Sequence, residues 1–96
     1  MKIFEYELEI TGQQTIPTGN AFATPLSVAA KNGKLILWAI SPEEVSQNRY
    51  EIVIDIIGTG YHYSAANRFV GTVIMPYNLV CHVFAEGRKV IEDREV

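Results

Sequence analysis

The chain has 96 residues, 48% of them hydrophobic and 20% charged, and a formal net charge of −3. This length supports one hydrophobic core and therefore one domain, and the apolar, weakly charged composition excludes an extended disordered segment. Its 8 Lys and Arg residues are scattered among 11 Asp and Glu, which argues against a nucleic-acid-binding surface, because such a surface needs clustered positive charge to follow the phosphates.

The first predicted element is a β-strand over residues 3–10. Apolar side chains alternate there with three glutamates, and a period of two residues is typical of a strand with one buried face. The glutamates, Glu5, Glu7 and Glu9, are costly to bury. We therefore expect them to form a solvent-facing strip, which would also discourage aggregation through the strand edge.

A β-hairpin is predicted after a turn-rich segment. Residues 13–25 contain Pro, Gly, Asn and Thr in the pattern of turns around a short extended piece at 14–16. Alternation resumes over 26–31, and the Asn-Gly dipeptide at 32–33 supplies the two positive φ angles of a type I′ turn. The segment 34–40 then returns as the second strand of the hairpin.

The strand 34–40 is apolar on both faces after its first residue. A strand of this kind is typically central in a sheet and covered on both faces, either by the same chain or by a partner chain. A domain of this size has difficulty covering both faces by itself, so we expect a homo-oligomer. Trp38 lies in this strand, where a core or subunit contact is a better interpretation than ligand stacking.

A short helical turn and a further strand are predicted next. The segment 41–44 combines Ser, Pro and Glu as in a helix-capping sequence, which predicts at most one short helical turn near 41–47. Residues 48–57 alternate again, with Asp55 on the more polar face. The Gly-Thr-Gly segment 58–60 is interpreted as a turn or β-bulge, because a phosphate-binding loop would need a fuller motif and a following helix.

The last third of the chain adds two strands. Residues 61–67 are a second irregular segment, followed by strands over 69–75 and 79–86 that a turn at 76–78 connects. Residues 87–96 are mixed in character, and we expect a flexible C-terminal extension there. Roughly five or six strands with mostly short connections predict a single all-β domain, an antiparallel meander that forms a sandwich or a partly open barrel.

Cys81 is the single cysteine of the chain, which excludes an intramolecular disulfide framework. The alternation over 79–84 places it on the apolar face. A buried, inert thiol is the better interpretation, because reactive thiols need an electropositive and partly exposed setting. His82 follows directly and faces the opposite side of the strand, so the two side chains are not expected to form a nucleophile–base pair.

The richest cluster of side chains suited to binding is Tyr61, His62 and Tyr63. Rings that can both stack and hydrogen-bond suit a planar or polar ligand or an interface hot spot, although the same rings can serve only as a cover over the core. Arg68, close by in the sequence, is the natural partner for an anionic group. The candidate ligand-binding residues are Trp38, Tyr61, His62, Tyr63, Arg68 and His82.

Catalysis and metal binding have little support in the sequence. A metal site would need His62 and His82 together with a carboxylate from Asp55 or Glu86, and their spacing matches no known ligand pair. No orienting motif surrounds a serine that could act as a nucleophile. We therefore expect no metal, no cofactor and no enzymatic activity; a small enzyme that uses the two histidines is the alternative.

No part of the sequence indicates a membrane segment or a secretion signal. No stretch approaches the roughly 18 consecutive apolar residues of a spanning helix. Residues 1–6 lack the apolar core of a signal peptide. We expect a cytoplasmic protein that has no membrane or nucleic-acid partner.

Seven blocks of the sequence follow one another in a recognisable order: 5–11, 14–17, 32–35, 37–39, 58–60, 70–73 and 79–84. Together they resemble a family of short phage and prophage proteins described only as a domain of unknown function. The resemblance covers residues 2 to about 86. A histidine often follows the Gly-Thr-Gly block directly in the family, whereas here Tyr61 stands before His62. The family has no assigned catalytic residues, so the resemblance implies no mechanism.

The resemblance implies a biological setting. Small phage accessory proteins often act in the cytoplasm of the bacterial host, where they bind a host protein or sequester a small signalling molecule and so counter host defence. The resemblance therefore favours a non-catalytic binding protein whose partner is a host protein or a small nucleotide-like ligand. Glu5, Glu7 and Glu9 offer a candidate surface for a host protein. A virion or assembly component is the alternative.

Overall fold

The computed structural model describes residues 1–18, 22–42, 49–63 and 67–90. Within these ranges the chain forms seven β-strands and one 3-10 turn, Pro76–Asn78. The predicted all-β class is confirmed, and no helix of these ranges is long and apolar enough to cross a membrane. The strands are β1 (Lys2–Leu8), β2 (Gln13–Pro17), β3 (Thr24–Lys31), β4 (Lys34–Ser41), β5 (Tyr50–Ile57), β6 (Arg68–Met75) and β7 (Leu79–Lys89).

The strands form two antiparallel sheets that pack face to face. One sheet has three strands in the order β1-β4-β3, and the other has four in the order β2-β5-β7-β6. The arrangement is a sandwich that does not close into a barrel, which is one of the two forms that the sequence left open. In the described part of the chain, the hairpins β3–β4 and β6–β7 pair consecutive strands, and the other neighbouring strands are separated in sequence. Strand order is therefore not sequential in either sheet, so the predicted antiparallel meander is wrong in its connectivity, although the strands are antiparallel as expected.

The β3–β4 hairpin forms as predicted. Asn32 and Gly33 have φ angles of 53° and 77°, the left-handed values that a type I′ turn requires and that glycine adopts without steric cost. β4 is the central strand of its sheet, as its apolar character predicted. Leu37 and Ala39, on the inner face of β4, have no exposed surface.

β1 is shorter than predicted. The alternation continues to Ile10, but the strand ends at Leu8, and Ile10 is 46% exposed. The Gln14 side chain explains the early end: its amide nitrogen donates to the Glu9 carbonyl at 2.7 Å, and its oxygen accepts from the Glu9 backbone N–H at 3.1 Å. These bonds satisfy the backbone groups that a longer strand would pair with a neighbouring strand, so the chain turns here.

The first two glutamates of the predicted strip are exposed, and both are paired. Lys31 Nζ lies 3.1 Å from Glu5 Oε1, and Lys34 Nζ lies 3.2 Å from Glu7 Oε1. The indole N–H of Trp38, the residue opposite Glu5 on β4, also donates to Glu5 at 3.1 Å. The outer face of the three-stranded sheet is therefore a mixed-charge surface rather than a free acidic one.

The side chains between the two sheets form one apolar core. Cys81 is 1% exposed in this core, so the predicted buried thiol is confirmed. Burial raises the pKa of the Cys81 thiol, which disfavours the reactive thiolate. The buried members of the core are Leu8, Ala23, Leu35, Leu37, Ala39, Ile52, Ile54, Ile56, Val73, Met75, Cys81, Val83 and Ala85.

The last strand extends beyond its predicted end. β7 runs to Lys89, and the Val90 N–H donates to the Arg49 carbonyl at 2.7 Å, which continues the pairing of β7 with β5. The first residues of the expected extension 87–96 are therefore part of the sheet. Residues 91–96 lie outside the described residues.

Most of the helical turn expected near 41–47, residues 43–47, lies outside the described residues. Ser41, the expected cap of that turn, is the last residue of β4 and is 1% exposed.

β7 passes very close to the chain that leads into β3. A Cβ atom on Gly87 would clash with the carbonyl oxygen of Ala23 and lie 3.1 Å from its nitrogen. Ala23 is itself 4% exposed and belongs to the core. The absence of a side chain at Gly87 therefore allows the start of β3 to pack against the four-stranded sheet.

Replacing Gly87 with alanine should lower the free energy of unfolding by about 1–3 kcal/mol, because the added methyl group must push two backbone segments apart. Urea unfolding would measure the effect as a lower midpoint at an unchanged slope. Gly12→Ala is the matched control, since a Cβ atom there meets nothing within 4 Å. Equal stabilities of the two variants would contradict this account of the close approach.

Candidate functional site

The outer face of the four-stranded sheet carries the candidate site. On β7, Cys81 faces the core, so His82 and Phe84 alternate to the outside. The strand β6 places two further side chains beside them: Phe69 is the cross-strand partner of Phe84, and Thr72 is the partner of His82. Burial of alternate residues of β7 in the core therefore directs His82 and Phe84 to the outer face of the sheet.

Three aromatic rings pack together on this face. Tyr63 stacks on Phe84 with ring centroids 3.8 Å apart and an interplanar angle of 19°. Phe69 meets Phe84 edge to face, with centroids 5.4 Å apart. Tyr63 belongs to the irregular segment after β5, so the stack holds that segment against the sheet. Phe69 remains 58% exposed, and the cluster is open to solvent on that side.

A cleft of about 260 Å³ lies between these rings and the turn that follows β5. Tyr61 is 78% exposed and packs against Gly58 in that turn. We call this feature the aromatic cleft. The polar and ring side chains that line it are Thr59, Tyr61, Tyr63, Phe69, His82 and Phe84.

Two threonine hydroxyls hold the His82 ring. Its Nε2 atom lies 2.8 Å from Oγ1 of Thr59, and its Nδ1 atom lies 2.9 Å from Oγ1 of Thr72. Because a hydroxyl can donate or accept, both ring nitrogens are satisfied in either tautomer. Thr59 lies in the turn after β5 and Thr72 lies in β6, so the imidazole connects the turn to the sheet.

Asp55 anchors the irregular segment at a second point. The residue is 5% exposed and lies opposite Phe84 on the neighbouring strand. Oδ1 accepts a hydrogen bond from Gln13 Nε2 at 3.0 Å, and Oδ2 accepts one from Asn67 Nδ2 at 2.8 Å. The Tyr63 hydroxyl donates to the Asn67 carbonyl at 3.1 Å. The hydrogen bonds from Gln13 and Asn67 offset the desolvation cost of burying the carboxylate.

The environment of the cluster also acts on the Tyr63 phenol. Burial raises the pKa of Tyr63, and the negative charge of Asp55 raises it further. The negative charge of Glu86 adds a smaller increase. The phenol therefore keeps its proton at neutral pH and remains a hydrogen-bond donor.

One protein family matches almost the whole chain: the family described as Domain of unknown function (DUF7352) matches residues 1–93. The chain belongs to this family. No curated protein and no solved structure matches the chain significantly. The DUF7352 match includes all of β7, whereas the sequence resemblance was expected to end at about residue 86.

Three of the six predicted binding residues meet in the aromatic cleft of this DUF7352 domain: Tyr61, Tyr63 and His82. His62 lines an adjacent depression of about 350 Å³, which it shares with Tyr61. In the described part of the chain, no group of three or more His, Cys, Asp and Glu side chains is placed to hold a metal ion. The two histidines therefore have different surroundings.

The other two predicted binding residues lie away from the aromatic cleft. Arg68, at the start of β6, lines a separate depression together with Phe22 and Glu86. Trp38 lies on the three-stranded sheet, where its indole N–H is bonded to Glu5. The arginine is thus not placed to pair with an anion bound between the aromatic rings.

Several site residues were missed by sequence reasoning. A register shift between residues 69 and 71 sets which β6 side chains face outward, and no local pattern signals it. Asp55 was named only as a possible metal ligand, although its position between Val53 and Ile57 on the same face of β5 suggests a buried carboxylate with hydrogen-bond partners. The missed residues are Thr59, Asn67, Phe69, Thr72 and Phe84.

Replacing Asp55 with alanine should lower the free energy of unfolding by about 1–3 kcal/mol, because two amide donors lose a partly buried acceptor. Amide hydrogen exchange in residues 58–63 should also become faster, since the segment loses one of its anchors. Glu86→Ala, which removes an exposed carboxylate from β7, is the matched control. Unchanged exchange in 58–63 after the Asp55 change would contradict the anchoring role.

Proposed function

We propose that this DUF7352 domain is a non-catalytic binding protein and that the aromatic cleft is its binding site. The observation that carries the proposal is the exposure of Tyr61 and Phe69, at 78% and 58%, on either side of a preformed cleft. Large rings displayed in this way offer contact area that the fold itself does not use. Such rings are typical of binding hot spots.

The rigidity of the cleft supports binding. One wall of the cleft belongs to the paired strands β6 and β7. The opposite wall is held by the hydrogen bond between Thr59 and His82, and by Tyr63, whose hydroxyl bonds to the Asn67 carbonyl while the Asn67 amide bonds to Asp55. A preformed site lowers the entropy cost of association, because few side chains must be ordered by the ligand.

A small enzyme that uses the histidines is the second candidate. The contact that favours it is the 2.8 Å distance between Thr59 Oγ1 and His82 Nε2, which suits a hydroxyl nucleophile and its base. However, the other ring nitrogen meets the neutral Thr72 hydroxyl, which stabilises an imidazolium ion less than a carboxylate does. Turnover lost in His62→Ala or His82→Ala, with the fold retained, would favour the enzyme.

The biological setting is part of the proposal. The resemblance to short phage and prophage proteins supports an accessory protein that acts in the bacterial host cytoplasm, counters host defence, and binds a host protein or sequesters a small signalling ligand. A virion or assembly component is the alternative. Its presence in purified phage particles, detected by mass spectrometry, would favour that alternative.

Affinity purification from phage-infected bacteria tests the binding proposal. The tagged protein should retain a specific protein or small molecule, and Tyr61→Ala should lose it, because the ring forms part of the cleft wall. Tyr77→Ala is the matched control, since Tyr77 is a fully exposed tyrosine of the β6–β7 turn outside the cleft. Equal retention by both variants, with the fold confirmed by circular dichroism, would contradict the assignment of the site.

We further propose that the domain forms a homo-oligomer through the outer face of the three-stranded sheet. Ile3 is 58% exposed there and lies opposite Ile40 on β4. Sedimentation analysis should detect an oligomer that Ile3→Glu dissociates, because a charge would be buried at the interface. Ile74→Glu, at a position of β6 that is 67% exposed, is the control. A wild-type monomer at high protein concentration would contradict this proposal.

A further inference from the structure

We propose that the aromatic cleft selects an organic cation, an alkylammonium or guanidinium group, and disfavours phosphorylated anions. This inference rests on the binding function proposed above and specifies the class of ligand. It differs from the nucleotide-like ligand expected from the sequence, because the charges that surround the rings are now known.

The side chains that line the aromatic cleft suit a cation. Four Tyr and Phe rings line the cleft, and the face of such a ring carries partial negative charge that attracts cations. Tyr61 and Phe69 leave most of their surface open to a ligand. Tyr63 and Phe84 cover one face of each other by stacking, which fixes the positions of both rings.

The charges near the aromatic cleft also favour a cation. No Lys or Arg side chain among the described residues lines the cleft. Asp55 lies opposite Phe84 on the neighbouring strand, and Glu86 lies two positions further along β7 on the same face. The donors to Asp55 are the neutral amides of Gln13 and Asn67, and neither carboxylate has an ion-pair partner among the described residues.

The Tyr63 phenol also reports the negative charge near the cleft. The charges of Asp55 and Glu86 both raise the pKa of the Tyr63 phenol, in addition to the effect of burial. A group that disfavours a new negative charge on the Tyr63 oxygen also disfavours a negative ligand beside that ring. The same field would attract a positive ligand.

The arginine that could have supported an anion lies elsewhere. Arg68 lines the depression beside Phe22 and shares it with Glu86. Asp55, Glu86 and Arg68 all lie outside the lining of the cleft, so two negative charges and one positive charge act on it from the neighbouring strands. The shared ligand chemistry, a cation against aromatic rings, could come from a free small molecule or from a Lys or Arg side chain of a protein.

Titrations of the isotope-labelled full chain, followed by amide and aromatic NMR signals, test the inference. The probes are tetramethylammonium chloride, Nα-acetyl-arginine amide and AMP, each at the same ionic strength. We expect both cations to shift Tyr61, Tyr63, Phe69 and Phe84, with dissociation constants of roughly millimolar order, and AMP to bind at least about tenfold more weakly. Tighter binding of the arginine probe than of tetramethylammonium would identify a protein side chain as the source of the cation.

Two variants sharpen the test. Tyr61→Ala should raise the dissociation constants of both cations roughly two- to fivefold, because one exposed cation–ring contact contributes about 0.5–1 kcal/mol. Tyr77→Ala should leave their affinity unchanged. Glu86→Gln should lower the affinity for both cations and raise the affinity for AMP, because it removes one negative charge from the same face.

The outcomes separate this inference from the function it rests on. Binding of AMP to the cleft in preference to the cations would overturn the cation selectivity and leave the binding function intact. Failure of both cations to shift the cleft signals would also overturn the inference, and the binding function would then be judged by the retention experiment with Tyr61→Ala.

Discussion

The alternation of side chains along β7 is the constraint on which both the core and the candidate site depend. β7 is paired on both sides, by β5 and β6, so a shift of one residue would disturb two sets of hydrogen bonds. The same shift would bring His82 and Phe84 into the core and expose Cys81. One strand therefore stabilises the sandwich through its inner face and displays the site on its outer face.

The site exists because the segment 58–63 folds back over the sheet. Hydrogen-bonded anchors at His82 and Asp55, together with the stack of Tyr63 on Phe84, hold it there. Each of these contacts contributes on the order of 1 kcal/mol, so the segment depends on their combination rather than on any one of them. A binding site built in this way is preformed, and its position follows from the fold.

The fold class, the hairpin and the central position of β4 could be predicted because their signals are local. The Asn-Gly dipeptide at 32–33 specifies a turn through its own conformational preferences. The site could not be predicted in the same way, since Gln13 and Asp55 are 42 positions apart and only the pairing of β2 with β5 joins them. The sequence left packing and ligand contact open for the loop tyrosines; Tyr63 packs on the sheet, whereas Tyr61 is exposed.

The docking of the segment after β5 onto the sheet is the central claim, and NMR of the unliganded protein tests it most directly. The structure predicts cross-relaxation between the ring protons of Tyr63 and Phe84, together with upfield ring-current shifts for both residues. Tyr63 signals at random-coil positions, without a cross peak to Phe84, would contradict the account.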